Sequence, residues 1–173
     1  MRKPQAKKKE EKPYALDDKD RAILKILLED ARTPITKIAK EAKLSHDAVM
    51  YRIKKMKEAG VVEKFVAVLN PAKIGLPIWG DVAFSLWNLT PSRHDGWIKF
   101  LKFHPYIAAV WNLSGKYEWF IEIYAESLAQ FNEIVSEMKI KFSDIIKESE
   151  TLFVLKEIKA EQIFPQKYKG INS

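Results

Sequence analysis

The chain has 173 residues and no cysteine, which excludes disulfide frameworks and thiolate metal sites and favours an intracellular setting. Hydrophobic residues make up 47% of the chain, enough for a packed core in one large domain or two small ones. The formal net charge is +7, and the whole excess lies in residues 1–62, because residues 63–173 carry equal numbers of acidic and basic side chains. A basic excess confined to one part of a chain is typical of a surface that binds phosphate groups.

Residues 1–15 are charged and almost free of large apolar side chains, which predicts a disordered basic arm. An auxiliary phosphate contact and a purely solvating role are both compatible with this composition. The arm lacks the apolar core of a secretory signal, and no apolar run in the sequence is long enough to span a membrane. We therefore expect a cytoplasmic protein with no membrane contact.

Residues 16–32 are predicted to form the first helix. Asp17 can cap its N-terminus, and Asp18 and Asp20 lie in the first turn, where the helix dipole favours acidic residues. The broad apolar face of this helix consists of Ile23, Leu24, Ile26, Leu27 and Leu28. We expect this face to pack across the next two helices, so that residues 16–62 form a helix-turn-helix domain.

Two short helices joined by a tight turn are predicted in residues 33–60. Thr33 is the expected N-cap of the first of them, with Pro34 at its first position, and Ser45 is the expected N-cap of the second. Gly60 is a suitable stop for the second helix. Its single apolar stripe is formed by Val49, Ile53 and Met56.

The face opposite that stripe is polar and basic, as a helix that enters a DNA major groove requires. The capped N-terminus is suited to a phosphate, the next exposed positions to base edges, and the cationic positions to phosphates or guanine. The candidate DNA-binding residues are Ser45, His46, Asp47, Met50, Tyr51, Arg52, Lys54 and Lys55. Lys40 and Lys43 are candidates for further phosphate contacts. The alternative for each position is an ordinary solvated helix surface.

Residues 63–79 are predicted to form a connector strand and a linker, because Phe65, Val66, Val68 and Leu69 are strand formers that end at an Asn-Pro turn. In residues 80–159 the periodicity predicts strands at 81–89, 107–113, 117–125 and 149–159, with helices after Pro91 and over 128–142. The order βαββαβ predicts a ferredoxin-like sheet covered by two helices on one face, and hence an α+β chain.

Depending on the register of the strands, the other face of that sheet would expose apolar side chains such as Trp87, Trp111 and Trp119. An apolar uncovered face predicts a homodimer or a higher oligomer. The polar residues 160–173 are predicted to be a loose tail.

Five segments in the same order resemble the Lrp/AsnC (feast/famine) family of bacterial and archaeal transcription regulators. They are LDDKDRAILKILLEDAR, LSHDAVMYRIKKMKEAGVV, LNPAKIGLP, SGKYEWFIEI and SETLFVLKEIK. The resemblance covers residues 16–159. It implies a winged-helix-like DNA-binding domain, a C-terminal domain of the RAM type, and a sequence-specific regulator that binds double-stranded DNA as a homodimer, tetramer or octamer. The abundance of Lys and Glu favours an archaeal or thermophilic source.

The resemblance also implies that a small amino acid binds as an effector at the turn after the third predicted element of the sheet domain. The residues that match this site are Gly115, Lys116, Tyr117, Glu118 and Thr151. This chain departs from the family's pattern by having Glu118 where Asp is usual. The alternative is that Gly115 serves only a hairpin with positive φ, while Glu118 caps a strand end.

Two other functions remain open at this point. The first is an architectural DNA-binding protein without effector control, which would use the same helices. The second is an enzyme, since some relatives of this architecture are haem-pathway decarboxylases. The three histidines, His46, His94 and His104, are scattered without metal spacing, so we expect no enzymatic activity, no metal and no cofactor.

Overall fold

The computed structural model describes residues 14–158, and within that range the chain folds as two separate units that divide after Ala67. The predicted tail at 160–173, and the predicted basic arm before Tyr14, lie outside the described residues. No helix in residues 14–158 is long and apolar enough to cross a bilayer.

Residues 14–67 of the N-terminal unit form three helices: α1 (Asp18–Glu29), α2 (Ile35–Ala42) and α3 (His46–Glu58). α1 begins with a capping box, in which the Asp17 carboxylate accepts from the Asp20 backbone N–H at 2.8 Å and the Asp20 carboxylate accepts from the Asp17 N–H at 3.3 Å. This pairing satisfies two backbone donors that the start of a helix otherwise leaves free. The predicted helix-turn-helix core is confirmed, and its fully buried members are Ile23, Ile38, Val49 and Met56.

The start of α2 differs from the prediction. Pro34 occupies the N-cap position, and Thr33 instead donates its hydroxyl to the Asp30 carbonyl at 2.8 Å. Thr33 therefore closes the turn between α1 and α2. A threonine followed by proline can either cap the next helix or close the preceding turn. Thr33 closes the turn because the Asp30 carbonyl, at the end of α1, is free to accept its hydroxyl.

The turn between α2 and α3 is set by a helix stop. Lys43 takes a left-handed φ of 52°, and the Leu44 backbone N–H donates to the Ala39 carbonyl at 2.9 Å. This closure belongs to the Schellman type, in which a left-handed residue lets the next N–H reach back to the last helical turn. The chain then passes directly into Ser45, the N-cap of α3.

The C-terminal unit contains four strands and two long helices: β1 (Ile78–Leu86), α4 (Pro91–Phe103), β2 (Ile107–Asn112), β3 (Trp119–Ala125), α5 (Leu128–Lys141) and β4 (Ile146–Phe153). The strands are ordered β2-β3-β1-β4, and every neighbouring pair is antiparallel. The buried sides of α4 and α5 share one core with the sheet, around Phe84, Trp97 and Phe131. The ferredoxin-like α+β arrangement predicted from the sequence is therefore confirmed.

β1 passes very close to α5 at Gly80. A Cβ added there would lie 2.7 Å from the ring of Phe131, which is itself fully buried and packs against Phe153. No side chain fits at that distance without moving the ring. Gly80 therefore lets the helix approach the sheet at this crossing.

The predicted connector strand is wrong, because residues 61–70 form no strand. Its β-branched side chains are largely exposed, with Val66 at 60% and Val68 at 91%. A strand requires a hydrogen-bonded neighbour, and no strand in residues 14–158 pairs with this segment. For the same reason no strand wing accompanies the three helices in residues 14–67. A short 3₁₀ turn, Pro71–Ile74, follows before β1 begins.

Among the described residues, most of the sheet face away from the helices is uncovered, except where the linker approaches Trp79 and Tyr124. The composition of this face differs in part from the prediction. Trp119 does not lie on it, since this side chain is 6% exposed in the core beside Trp97. β1 also ends before Trp87, so this residue lies in the loop after the strand. Trp111 does lie on the uncovered face, where its ring meets that of Phe120. We call this surface the open sheet face; its other members include Trp79, Asp81, Glu122, Tyr124, Glu150 and Leu152.

Candidate nucleic-acid interface and ligand turn

α3 presents a solvent-facing ridge opposite its buried stripe. Asp47, Tyr51, Lys54 and Glu58 follow one another at intervals of four, three and four residues, which places them along one line of the helix. Tyr51 is 66% exposed, and Met50 beside the ridge is 52% exposed. Because Val49 and Met56 anchor the opposite side, this ridge is free to meet a second molecule. Glu58 also belongs to it, although the sequence pattern alone did not predict this residue as part of the DNA-binding surface.

The N-terminal end of α3 is formed by Ser45, whose hydroxyl oxygen accepts the Ala48 backbone N–H at 3.2 Å. The predicted cap is therefore present. The next two residues are exposed, with His46 Nδ1 lying 3.4 Å from Asp47 Oδ1. The helix start carries partial positive charge from its unpaired N–H groups, as an anion site requires.

Arg52 is placed differently from the other predicted DNA-binding residues. Its guanidinium Nη1 lies 2.6 Å from Asp17 Oδ2 and 2.7 Å from Asp20 Oδ1, and the Asp20 side chain is only 4% exposed. The backbone N–H of Asp20, and after it the Arg52 side chain, hold the pKa of the Asp17 carboxyl below its ordinary value. The two carboxylates in turn raise the pKa of Arg52. Arg52 therefore ties α3 to the start of α1.

Among residues 14–158, Lys54 and Lys55 make only weak contacts. Lys54 Nζ lies 3.8 Å from Glu58 in an i,i+4 pair whose two side chains are mostly exposed. Lys55 Nζ lies 5.7 Å from the centre of the Tyr14 ring. Exposed contacts of this kind contribute about 0–1 kcal/mol each, so a phosphate can replace them readily. Lys40 and Lys43, the two further candidates, are exposed as well.

Lys19 is a structural residue of this unit that sequence reasoning missed. Its ammonium donates to the Ala42 carbonyl at 2.7 Å and to the Lys43 carbonyl at 3.3 Å, at the C-terminal end of α2. A cation there satisfies free carbonyls and complements the helix dipole. Because the partners lie more than twenty residues along the chain, no local pattern could reveal this contact.

The turn between β2 and β3, residues 113–118, contains most of the predicted effector-binding residues. Gly115 has a φ of +144°, a backbone conformation that side-chain-bearing residues rarely adopt. The Leu113 backbone N–H donates to the Glu118 carbonyl at 2.7 Å and closes the hairpin. The Glu118 carboxylate accepts the Leu86 backbone N–H at 3.2 Å, at the end of β1. This contact matches the alternative in which Glu118 caps a strand end.

Lys116 and Tyr117 also make contacts within the chain. Lys116 Nζ lies 4.7 Å from the centre of the Tyr117 ring and 3.5 Å from Glu148 at the start of β4. The Tyr117 hydroxyl, followed by Glu148, raises the pKa of Lys116. Thr151 is exposed on β4, opposite Val82. The turn is thus connected to β1 and β4, while Thr151 lies three residues beyond the Lys116 contact.

The histidines are not gathered into a site. His46 begins α3, His94 lies on α4, and His104 follows α4 with its Nε2 3.8 Å from Glu137. Burial lowers the pKa of His104, against the opposing effect of Glu137. In the part of the chain that the structure describes, no three His, Asp or Glu side chains are grouped as metal ligands.

A capped basic helix held on a three-helix unit, followed by a separate βαββαβ unit, defines a helix-turn-helix DNA-binding protein with an α+β regulatory domain. Two family models match it in that order. The AsnC-type helix-turn-helix domain matches residues 16–57, and the Lrp/AsnC ligand-binding domain matches residues 82–164. The chain belongs to the Lrp/AsnC family of DNA-binding transcriptional regulators.

The proteins that are similar to this chain include several transcriptional regulators. The HTH-type transcriptional regulator FL11 of Pyrococcus furiosus is 29% identical over 152 residues, which is 88% of this chain and 97% of FL11. The transcriptional regulator AzlB of Bacillus subtilis is 30% identical over 69% of this chain and 76% of its own length. Among solved structures, the transcriptional regulator NMB0573 of Neisseria meningitidis, in complex with L-Met, has the same fold, with a TM-score of 0.77 at 23% identity. The match covers 84% of this chain and 94% of NMB0573.

Proposed function

We propose that α3 is the DNA-reading helix of this regulator and that it enters the major groove with its exposed ridge toward the bases. The observation that carries this proposal is the division of α3 into a buried stripe and a ridge of exposed polar side chains, with weakly held lysines beside it. A recognition helix requires this division, because one side must be fixed by the fold while the other meets base edges.

The roles within the helix follow from the contacts of each side chain. Asp47, Met50 and Tyr51 are placed for base edges, where an Asp can accept from cytosine N4 and a Met can contact a thymine methyl group. Lys54 and Lys55 are assigned to phosphates. Ser45 and His46 lie at the helix start, beside a phosphate. Arg52 acts as a positioning residue, since its guanidinium is engaged by Asp17 and Asp20.

The experiment for DNA recognition is selection of bound fragments from the source genome, followed by fluorescence anisotropy on the selected site. We expect the selected site to bind more tightly than random duplex DNA. The logarithm of the binding constant should fall linearly with the logarithm of salt concentration, with a slope of about 0.9 for each phosphate contact. Equal affinity for selected and random DNA would contradict a sequence-specific regulator.

We infer that two copies pair through the open sheet face. Its aromatic and aliphatic side chains support this, since Trp111 is 40% and Leu152 is 46% exposed in a single chain. Such a two-fold symmetric dimer would in turn suit a palindromic DNA site. Light scattering should show a dimer or a multiple of one, and Trp111→Glu should shift the mass toward the monomer. The matched variant Phe103→Glu, on the exposed end of α4, should leave the mass unchanged; an unchanged mass in Trp111→Glu would exclude this surface.

A small amino acid is the first candidate for an effector, bound near the turn at residues 113–118. The ligand-binding family model and the L-Met complex of NMB0573 support this candidate. The second candidate is a DNA-binding protein without effector control. Two contacts favour it: Glu118 accepts the Leu86 N–H, and Lys116 pairs with Glu148. Both of these predicted ligand-binding side chains are therefore already bonded within the chain.

Thermal unfolding in a panel of amino acids separates the two candidates. A ligand that binds only the folded state increases the free energy of unfolding, by about 2.7 kcal/mol when its free concentration is one hundred times its Kd. The unfolding midpoint rises as a result. A rise with one amino acid that Glu118→Gln abolishes would support the effector site. A flat profile across the panel would favour the second candidate.

We infer a non-enzymatic role in the cytoplasm, where the DNA target lies. The family membership supports this inference, as do the scattered positions of His46, His94 and His104 in the described chain. Tight binding of a sirohaem derivative with a shifted absorption band would contradict it.

A further inference from the structure

The turn before α3 is held by a side chain from another helix. Lys19 lies in the first turn of α1, and its ammonium donates to the Ala42 carbonyl at 2.7 Å and to the Lys43 carbonyl at 3.3 Å. Ala42 is 3% exposed, and Ser45, the N-cap of α3, follows three residues later. Hydrogen bonds from a charged donor are about twice as strong as those between neutral groups. Lys19 therefore fixes the turn from which α3 begins.

The same end of α1 also holds α3 further along its length. Asp17 and Asp20 lie on either side of Lys19 in the sequence and bind the Arg52 guanidinium at 2.6 and 2.7 Å. Arg52 lies seven residues beyond Ser45, a distance of about 10 Å along the helix axis. We call Asp17, Lys19 and Asp20 the α1 clamp. It joins α1 to two points of the chain, one just before α3 and one in the middle of that helix.

The part of α3 between these two points carries the side chains assigned to base edges. Asp47, Met50 and Tyr51 all lie before Arg52, whereas the two lysines assigned to phosphates lie after it. The buried stripe of α3 is held by apolar packing. Such packing is non-directional, so it restricts a small rotation of the helix less than hydrogen bonds of defined geometry do.

We propose that the α1 clamp sets the orientation of α3 for base recognition and that Lys19 is a positioning residue for DNA binding. The proposal rests on the assignment of α3 as the reading helix. Hydrogen bonds to base edges require precise placement, whereas a flexible lysine can follow a phosphate when the helix shifts. Phosphate contacts also carry no sequence information. Loss of the clamp should therefore weaken binding to the selected DNA site and leave binding to random DNA nearly unchanged.

Lys19→Met tests the proposal, because it removes the ammonium and keeps an unbranched side chain of similar length. After folding has been checked, its affinities for the selected site and for random duplex DNA are measured by fluorescence anisotropy over a range of salt concentrations. We expect the selected site to bind about tenfold more weakly, as for the loss of one good base contact, with random binding and the salt slope unchanged. Lys19→Arg keeps a charged donor and should recover part of the loss. Lys25→Met makes the same charge change at an exposed position of α1 and should bind both DNAs like the unmodified chain.

The ratio of the two affinities separates the possible roles of Lys19. An unchanged ratio in Lys19→Met would overturn the proposal, and equal losses on both DNAs at an unchanged salt slope would indicate a merely structural role. Equal losses with a salt slope lower by about 0.9 would make Lys19 a phosphate ligand instead, which also overturns the proposal. If the unmodified chain binds both DNAs equally, the proposed function itself fails, so the two failures are distinguishable.

Asp17→Asn tests the other contact of the clamp and decides the matter if Lys19→Met does not fold. Asn retains an N-cap acceptor for α1 but removes the charge that pairs with Arg52. Asp18→Asn removes the same charge at an exposed neighbouring position and serves as the control. We expect the ratio of selected to random affinity to be about threefold lower in Asp17→Asn than in the control. Equal ratios in the two variants would overturn the proposal.

Discussion

The ridge of α3 and the turn at residues 113–118 are both surfaces where the sequence predicts a bound partner, yet their polar groups are used differently. On the ridge, Tyr51 and Lys54 are exposed and make at most weak contacts with the residues that the structure describes. In the turn, Glu118 accepts the N–H of Leu86, and Lys116 reaches Glu148. One surface has groups to offer a partner, whereas the other already uses its groups to join neighbouring strands.

This difference shows that a residue type in a motif does not reveal its own bonding partner. Arg52 is an example within α3. It belongs to the sequence motif of the reading helix, but its side chain is bonded within the fold, as those of Glu118 and Lys116 are in the turn. Its two ion pairs lie at 2.6 and 2.7 Å and bridge two helices. Substitutions of side chains that are bonded within the fold should therefore change stability more than substitutions of exposed side chains.

Arg52→Gln should give the largest change in folding stability. Removing the guanidinium leaves the buried Asp20 carboxylate without its cation, which costs about 1–3 kcal/mol. Chemical denaturation of the variant should show this loss, and Asp20→Asn in the same chain should restore part of it. Lys54→Gln, at an exposed position two residues further along the helix, should change stability by less than about 0.5 kcal/mol. Equal effects of the two substitutions would mean that Arg52 is as free as Lys54.

Glu118→Ala should have a smaller effect. It removes the acceptor of the half-buried Leu86 N–H, and one such hydrogen bond contributes about 1 kcal/mol. Glu118→Gln keeps an acceptor oxygen and should be within a few tenths of a kcal/mol of the unmodified chain. If Glu118→Ala leaves the stability unchanged, the carboxylate is available to a ligand and the contrast with the α3 ridge disappears.

Glu122→Gln, on the open sheet face, should give the smallest change, visible mainly through its pH dependence. Burial raises the pKa of Glu122 in the folded chain, and so does the carboxylate of Asp81, which is its partner on the neighbouring strand. The folded chain therefore holds this proton more tightly than the unfolded chain, and stability is lost as the pH rises through the raised pKa. Glu122→Gln should raise the unfolding midpoint at neutral pH, and the gain should vanish toward the ordinary carboxyl pKa. A gain that is independent of pH would contradict this origin.

The parts of the fold that depend on local pattern could be predicted from the sequence. The stripe of Val49, Ile53 and Met56, the caps at Asp17 and Ser45, and the βαββαβ order all follow from spacing along a few turns or strands. The connector could not be predicted, because strand-forming residues such as Val66 and Val68 become a strand only beside a partner. The placement of Trp119 in the core required the register of β3, which one shifted residue would reverse.

The candidate sites were predicted less completely for a related reason. Exposure of Met50 and Tyr51 follows from the helical period, and the structure agrees. The partners of Arg52, Lys19 and Glu118 lie more than twenty residues away along the chain, so only the folded structure brings them together.

Binding of Lys54→Gln/Lys55→Gln to the selected DNA site, with Arg52 retained, tests the central claim most directly. Folding and oligomeric mass are checked first, and Lys99→Gln/Lys139→Gln on α4 and α5 serves as the charge-matched control. We predict that the α3 variant loses affinity and that its salt slope falls by about 2, one for each lost phosphate contact, while the control binds like the unmodified chain. Unchanged affinity and salt slope in the α3 variant would contradict the account.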